Sequence, residues 1–148
     1  MEIREVNTLE EARFCDTLLT KLISDEYQYN KLINSNFIVT NYFENIYMND
    51  NNILLIAKED NICGYIFVKE IDSELDNTKV MLIDGLYVET EYRNKGIASS
   101  LIEAALEKCK EKNVTAVKIK VMTSNTSAVK LYEKFNFTEQ AKEMINYL

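Results

Sequence analysis

The chain has 148 residues, 47% of them hydrophobic, and carries a formal net charge of -7. This length and apolar content fit one core, so we expect residues 1–148 to form a single domain. The excess of negative charge disfavours nucleic acids and anionic membrane surfaces as partners, and it favours a cationic or amine-bearing small molecule.

Several residue types exclude whole classes of chemistry. Histidine is absent, which removes Ser-His-Asp and Cys-His catalysis and the common zinc sites. The three cysteines, Cys15, Cys63 and Cys109, are far apart and odd in number, so we expect reduced core residues and no metal site. No apolar stretch approaches the ~20 residues that cross a bilayer, and the N-terminus lacks the order of a signal peptide. We therefore expect a cytoplasmic protein.

The N-terminal third predicts one strand and two helices. Residues 3–6 form the strand, after which Thr8 can cap a helix and Glu11 can complete a capping box. Helical spacing of apolar side chains continues to about Leu22 and predicts one buried face. The side chains on that face are Phe14, Cys15, Leu18, Leu19 and Leu22. Weaker periodicity predicts a second helix over residues 41–48.

The middle of the chain predicts strands. Residues 53–59 and 62–70 flank the turn pair Asp60-Asn61, which indicates a β-hairpin. A polar loop over residues 71–79 leads to a third apolar run at residues 80–88. Gly85 interrupts that run, and a glycine inside a strand often marks a bulge or a close approach of the backbone to a ligand.

The C-terminal third alternates helices and strands. An amphipathic helix is predicted from Ile97 to about Lys112, a strand over residues 114–122 and a shorter helix over residues 126–135. Phe137 and residues 143–148 predict a last strand. The resulting order, β-α-α-β-β-β-α-β-α-β, indicates a mixed α/β fold.

The junction between the third strand and the amphipathic helix is a candidate anion site. Free N–H groups and the positive end of the helix dipole meet there, and Gly96 lets a ligand approach the backbone. Taken alone, the run from Arg93 to Ala98 is better explained as an ordinary strand-to-helix turn. A Walker-type phosphate loop is excluded because Gly96 is not followed by Lys and then Ser or Thr.

Two sequence blocks resemble the GNAT superfamily of N-acetyltransferases. LYVETEYRNKGIA, from Leu86 to Ala98, is similar to its acetyl-CoA motif, whose core is Q/R-x-x-G-x-G/A. NTSAVKLYEKFNF, from Asn125 to Phe137, is similar to its N-x-x-A-x-x-L/F-Y-x-x-x-G-F signature. Asn136 replaces the usual glycine, and asparagine also tolerates the left-handed C-cap conformation. The resemblance implies a central mixed, mostly antiparallel sheet with splayed strands, flanked by helices.

The same resemblance implies where acetyl-CoA, the cosubstrate, would bind. The backbone of Leu86, Tyr87 and Val88 would pair with the pantetheine arm, and an N–H group near Val88 would polarise the thioester carbonyl. Asn125 would hydrogen-bond the pantetheine or help to splay the strand ends. The pyrophosphate would be held mainly by the backbone N–H groups of Arg93, Asn94, Lys95, Gly96, Ile97 and Ala98.

Two side chains are candidates for proton transfer, and each has a structural alternative. Tyr132 matches the family tyrosine beside the leaving sulfur and is the candidate general acid, although its spacing also fits a core aromatic residue. Asp84 is the candidate base that deprotonates the amine, directly or through water, although it also fits a carboxylate bonded to local N–H groups at a bulge. Asn125 in turn fits a simple helix cap.

These features together predict direct transfer of an acetyl group from acetyl-CoA to a primary amine of a small molecule or peptide. The first alternative is a catalytically silent acyl-CoA-binding or sensor domain, and the second is a structural dimerisation module. No metal, nucleic acid or membrane is expected to take part. The expected assembly is a monomer or a homodimer, and the identity of the acceptor does not follow from the sequence.

Overall fold

A computed structural model describes residues 1–71 and 78–148. It contains a five-stranded sheet in the order β1-β2-β3-β4-β5. The strands are β1 (Glu2–Glu5), β2 (Ile53–Lys58), β3 (Ile62–Ile71), β4 (Val80–Val88) and β5 (Ala116–Ile119). The helices are α1 (Leu9–Glu26), α2 (Ile97–Glu111) and α3 (Thr126–Lys134), with 3-10 turns at Phe43–Asn45 and Thr90–Tyr92. Neighbouring strands are antiparallel except β4 and β5, which are parallel. The family resemblance predicts this mixed, mostly antiparallel sheet, and that prediction is confirmed.

The two faces of the sheet carry separate apolar clusters. On one face, α1 and the turn at Phe43 pack over Leu54, Ile56 and Tyr65. On the other face, α2 packs over Leu55 and Val68 among others. Because helices cover both faces, residues 53–57 of β2 are all buried. None of the helices in the described ranges combines the length and the apolar character that a membrane span needs.

Helix α1 begins at a side-chain cap. The Thr8 hydroxyl accepts from the Glu11 N–H at 3.2 Å, as the sequence predicts. The Glu11 carboxylate accepts from the N–H of Asn7 at 3.1 Å, one residue before the position expected of a capping box. It also bonds the Arg4 guanidinium, which lowers the pKa of Glu11 to about 2 and ties β1 to the helix. The helix continues to Glu26, beyond the predicted end near Leu22.

Strand β4 contains a β-bulge at Asp84. Phe67 of β3 pairs with Gly85 and Val68 pairs with Ile83, so Asp84 has no partner in the register. Because of this extra residue, each side chain after the bulge points to the face opposite to the one that strict alternation from Ile83 would give it. Ile83 before the bulge and Val88 after it therefore pack on the α2 side, whereas Tyr87 packs on the α1 side.

Gly85 is required beside the bulge by a close contact. A Cβ atom at this position would lie 2.5 Å from the hydroxyl oxygen of Tyr65. Tyr65 is fully buried, and its hydroxyl has no hydrogen-bond partner among the described residues. The side chain cannot move aside without disturbing the packed α1 face. Because the bulge at Asp84 lies directly before Gly85, the interpretation of Gly85 as the mark of a bulge is confirmed.

Several sequence predictions need correction. Residues 41–48 form only the short turn Phe43–Asn45, and the strand expected over residues 114–122 is reduced to Ala116–Ile119. The predicted last strand at residues 143–148 is wrong, because a strand needs a pairing partner and residues 138–148 are exposed and unpaired within the described part of the chain. Most of the predicted polar loop, residues 72–77, lies outside the described residues. The left-handed conformation expected of Asn136 is confirmed by its φ of 66°.

We expect Gly85→Ala to destabilise the protein by about 1–3 kcal/mol, the usual size of an overpacking penalty. Tyr65→Phe alone should leave stability unchanged or raise it by about 1 kcal/mol, since it removes a buried hydroxyl without a partner. Gly85→Ala should cost less in the Tyr65→Phe background, because the first atom that the new methyl group meets is gone. Urea denaturation of the four proteins measures both effects. Equal losses in the two backgrounds would show that the hydroxyl contact does not set the requirement for glycine.

Candidate active site

The site begins where β4 and β5 separate. The parallel pairing covers only residues 80–83 of β4 and residues 116–119 of β5. Beyond Ile83, β4 continues as Gly85–Val88 without β5 beside it. The two strands open into a cleft of about 3110 Å³ that is also bordered by α2, α3 and residues 138–147.

The edge of β4 presents unpaired backbone groups to this cleft. The N–H of Glu89 donates to the carbonyl of Cys63 at 2.8 Å. Because antiparallel hydrogen bonds alternate along a strand, the N–H of Tyr87 also points towards β3, and those of Leu86 and Val88 point the other way. The carbonyl of Val88 lies on this open side, where it accepts from Arg93 Nε at 2.9 Å.

The turn after β4 ends in exposed amides at the start of α2. Asn94 and Gly96 adopt left-handed conformations, with φ of 63° and 79°. Gly96 is the N-cap and provides no side chain, so the N–H groups of residues 97–99 lack acceptors within the described ranges. A Cβ atom on Gly96 would meet nothing within 4 Å, so the space beside the N-cap is open. This geometry suits an anion.

Helix α1 holds this turn through two ion pairs. Lys21 Nζ donates to both carboxylate oxygens of Glu89, at 2.7 and 2.9 Å, and this bonding raises the pKa of Lys21. Arg93 Nη2 donates to Asp25 at 3.0 Å. The Arg93 guanidinium is therefore directed at α1 and the end of β4. An anion at the turn would meet backbone amides rather than this side chain.

Nearly all the residues predicted to bind acetyl-CoA border the one cleft. These are Leu86, Tyr87, Val88, Arg93, Asn94, Gly96, Ile97, Ala98, Asn125 and Tyr132. Lys95 does not, since its side chain is exposed and its Nζ lies 5.4 Å from the ring centre of Tyr92. The Asn125 Oδ1 accepts from the Ala128 N–H at 3.3 Å and caps α3. The capping interpretation of Asn125 is thereby confirmed, and its Nδ2 group has no acceptor among the described residues.

Tyr132 lies half-buried on α3. Its ring packs edge-on against Phe137 with centres 5.9 Å apart, and it contacts the α2 cluster. Desolvation by burial raises the pKa of Tyr132 to about 12, and the negative charge of Glu26 adds to the shift. The phenol is therefore protonated throughout the neutral range and can donate a hydrogen bond.

Asp84 and Glu26 both border the cleft. Asp84, displaced by the bulge, lies 3.3 Å from Lys69 Nζ. Glu26 is exposed by surface area, yet desolvation by the surrounding residues raises its pKa, and the negative charge of Asp84 raises it further. The sequence analysis missed Glu26. The sequence does contain a signal for Glu26. The apolar stripe of α1 continues to Ile23, and a residue three positions further along a helix lies on the same face.

The Acetyltransferase (GNAT) family profile matches residues 17–137, which include every feature of the cleft described above except the segment after Phe137. The chain belongs to the GNAT family of acetyltransferases. Members of this family use acetyl-CoA as a cosubstrate, which agrees with a site that offers amides both to an anion and along a strand edge.

Individual relatives agree with this assignment. An N-alpha-acetyltransferase of Saccharolobus solfataricus is 37% identical over 75 residues, which cover 50% of this chain and 43% of that protein. The chain spans about half the length, or less, of the sequence relatives that it matches.

Two solved structures share the fold. A mutant of the BH1408 protein from Bacillus halodurans has a TM-score of 0.88 at 22% identity, covering 100% of this chain and 99% of that one. An aminoglycoside acetyltransferase from a soil metagenome, in complex with sisomicin, has a TM-score of 0.74 at 18% identity, covering 99% and 95%.

We expect Gly96→Val to abolish the thermal stabilisation that acetyl-CoA confers. A branched side chain would project into the space above the amides of residues 97–99, and it is strained at a φ of 79°. Asn94→Gly is the matched control, because it changes the same turn, relieves a left-handed residue and keeps every N–H group. At 100 times Kd, a bound ligand adds about 2.7 kcal/mol, which a melting curve detects. Undiminished stabilisation of folded Gly96→Val would place the cofactor elsewhere.

Proposed function

We propose that this protein transfers an acetyl group from acetyl-CoA directly to a primary amine of a small molecule or peptide. The main support is two sets of free backbone N–H groups, those of Leu86 and Val88 on β4 and those of residues 97–99 at the start of α2. Two such sets match a ligand with amide groups at one end and phosphates at the other. The family and the N-acetyltransferase relative favour the same reaction.

Binding would use backbone groups more than side chains. The N–H groups of residues 97–99 hold the pyrophosphate oxygens, helped by the dipole of α2. The backbone of Leu86 pairs with an amide of the pantetheine arm as a neighbouring strand would, and the N–H of Val88 remains available for the thioester carbonyl. The Nδ2 of Asn125 donates to a pantetheine carbonyl while its Oδ1 continues to cap α3. Arg93 contributes indirectly, because its hydrogen bonds to Val88 and Asp25 hold the turn against α1.

Deprotonation of the acceptor would depend on Asp84 and Glu26. An amine of pKa near ~10 arrives as an ammonium ion, which two carboxylates attract and which must lose a proton before its lone pair can attack. Desolvation raises the pKa of Glu26, and the negative charge of Asp84 raises it further, which makes Glu26 a stronger base than an ordinary carboxylate. We therefore assign the proton to Glu26 and the electrostatic tuning to Asp84.

Bond exchange would then take place beside the bulge. The amine nitrogen forms a bond to the thioester carbon, and the Val88 N–H stabilises the negative charge that develops on the carbonyl oxygen. The carbon–sulfur bond breaks as that oxygen regains its double bond, and the nitrogen loses its second proton. The products are an N-acetyl amide and CoA.

Tyr132 would stabilise the departing sulfur as a hydrogen-bond donor. Its pKa of about 12 lies well above the ~8.5 of a simple thiol, so complete transfer of its proton to the thiolate is unfavourable. The proton released by the nitrogen can neutralise the thiolate instead. This assignment narrows the predicted general-acid role to donation of a hydrogen bond.

A silent acyl-CoA-binding domain is the second candidate. It would need the amides of β4 and α2 and would have no use for the carboxylate pair or Tyr132. The raised pKa of Glu26 beside Asp84 favours the enzyme, because enzymes commonly raise the pKa of a carboxylate that acts as a base. Release of free CoA thiol with a panel of polyamines, aminoglycosides, amino acids and short peptides separates the two. Binding without release by any acceptor would favour the silent domain.

Tyr132→Phe should lower kcat by ~10²-fold, the lower end of the usual range for the loss of one hydrogen-bond donor to developing negative charge, since a CoA thiol is already a good leaving group. The ring remains, so the contact with Phe137 and the melting temperature should be nearly unchanged. Tyr29→Phe, which removes another hydroxyl that borders the cleft, is the control. Full activity of Tyr132→Phe would exclude the hydroxyl from the reaction.

The two carboxylates should differ in pH dependence. Glu26→Gln should lower kcat/KM by ~10²-fold at neutral pH and remove the acidic limb of the profile. Asp84→Asn should shift that limb to lower pH, because it removes the charge that raises the pKa of Glu26. Glu10→Gln, on the exposed side of α1, should do neither. A ~10²-fold loss in Asp84→Asn with an unshifted limb would instead identify Asp84 as the base.

A further inference from the structure

A second cavity, separate from the cleft, lies between α1 and the segment that follows this helix. Its volume is about 390 Å³, and most of its lining is apolar. The apolar lining residues are Leu19, Ile23, Phe37, Ile38, Val39 and Tyr42. We call this cavity the apolar pocket.

The outer wall of the apolar pocket is held in place by hydrogen bonds to α1. The N–H of Val39 donates to the Thr20 hydroxyl at 3.0 Å, and the N–H of Phe43 donates to the buried Asp16 carboxylate at 3.0 Å. Phe37 and Ile38 nevertheless remain 54% and 72% exposed. Single exposed apolar side chains are normal, but adjacent ones beside a formed cavity indicate a surface that binds a ligand.

The apolar pocket adjoins the part of the cleft that contains the two carboxylates. Ile23 borders the pocket, and Glu26 borders the cleft three residues further along the same helical face. Tyr42 in the pocket wall packs edge-on against Phe67 of β3, with ring centres 6.3 Å apart. Phe67 is the strand partner of Gly85, the residue directly after Asp84. One aromatic ring thus connects the pocket to the bulge.

The charged groups of the cleft also influence the wall of the pocket. Burial raises the pKa of Tyr42, the negative charge of Asp84 raises it further, and the positive charge of Lys69 lowers it. Asp84 and Lys69 form an ion pair at the border of the cleft. Tyr42 therefore belongs both to the wall of the apolar pocket and to the surroundings of these charged groups.

We infer that the apolar pocket receives a large apolar substituent of the acceptor, whose ammonium group lies at Asp84 and Glu26. This inference rests on the proposed function, since it uses the same cleft and the same carboxylates. The substituent passes Tyr42 and is buried against Ile23 and Val39. The preferred acceptor is therefore a primary amine with one apolar group, either a free amine or the N-terminus of a peptide that begins with a large apolar residue.

Polyamines and aminoglycosides are disfavoured by the same lining. Burial of a second ammonium group or of hydroxyl groups is costly unless they form hydrogen bonds. The apolar side chains of the pocket offer none. The volume of about 390 Å³ is near the lower end of the ~300–1,000 Å³ of small-molecule sites, so the pocket suits a single substituent.

A series of unbranched primary amines from ethylamine to heptylamine tests the inference in the assay of CoA thiol release. We expect kcat/KM to rise about threefold to fourfold for each methylene group until the pocket is full, because each group is transferred from water to an apolar surface. Cadaverine has about the length of hexylamine and carries a second charge at its far end. It should react at least about 10-fold less efficiently than hexylamine.

Variants of the pocket wall should change this dependence on chain length. The double variant Phe37→Ala/Ile38→Ala should flatten the rise, and Thr40→Phe, which adds a ring to the lining, should shift the optimum to shorter amines. Met48→Ala is the matched control, because Met48 is 79% exposed and does not line the pocket. A merely structural defect would lower the rates of all amines equally. Circular dichroism verifies that each variant is folded.

Two further measurements separate the possible outcomes. Peptides that begin with Leu or Gly test the N-terminus as the source of the amine, and a preference for Leu alone, without a trend among free amines, would support a peptide acceptor. Calorimetry of amine binding in the presence of CoA does not depend on catalysis. Binding that strengthens with chain length, without CoA release by any acceptor, would support the pocket and reject the proposed function. CoA release without a trend in either series, as when the pocket holds another protein segment, would overturn this inference alone.

Discussion

The close approach of Tyr65 to Gly85 is the contact on which the site depends. A buried ring occupies the place of a side chain at position 85, and β4 accommodates its extra residue, Asp84, at the same point. The bulge reverses the faces of the strand, and the pairing with β5 ends there. Free amides, a displaced carboxylate and an open cleft thus have one common origin in the packing of the α1 face.

Helix α1 contributes to both halves of the proposed site. Its last turns supply Lys21 and Asp25, which hold the turn before α2, and Glu26, which lies in the cleft. The proposed cofactor side and the proposed acceptor side are therefore both held by the end of a single helix.

Local patterns in the sequence were sufficient to predict most of the elements. The β-hairpin, the amphipathic α2 and the glycine in β4 follow from periodicity and turn residues, and the two family blocks lie along one cleft. Glu26 was missed because its environment arises from Asp84, distant in sequence. Lys95 does not border the cleft, and its Nζ lies near the ring of Tyr92. The last strand was predicted wrongly. Alternating apolar and polar residues indicate that a segment can pair as a strand, but they do not show that a partner strand is present. The chemical roles of the site residues stay predictions.

The bulge also determines how β4 tolerates changes of length. Deletion of Asp84 would leave Ile83 opposite Val68 and Gly85 opposite Phe67, and it would restore a regular ladder with β3. Leu86 and Val88 would still point towards α2, and Tyr87 towards α1. Deletion of a paired residue such as Leu86 would instead move its neighbours to the opposite face. Among relatives of this protein, loss of one residue from β4 should therefore be tolerated at the bulge and not in the paired part of the strand.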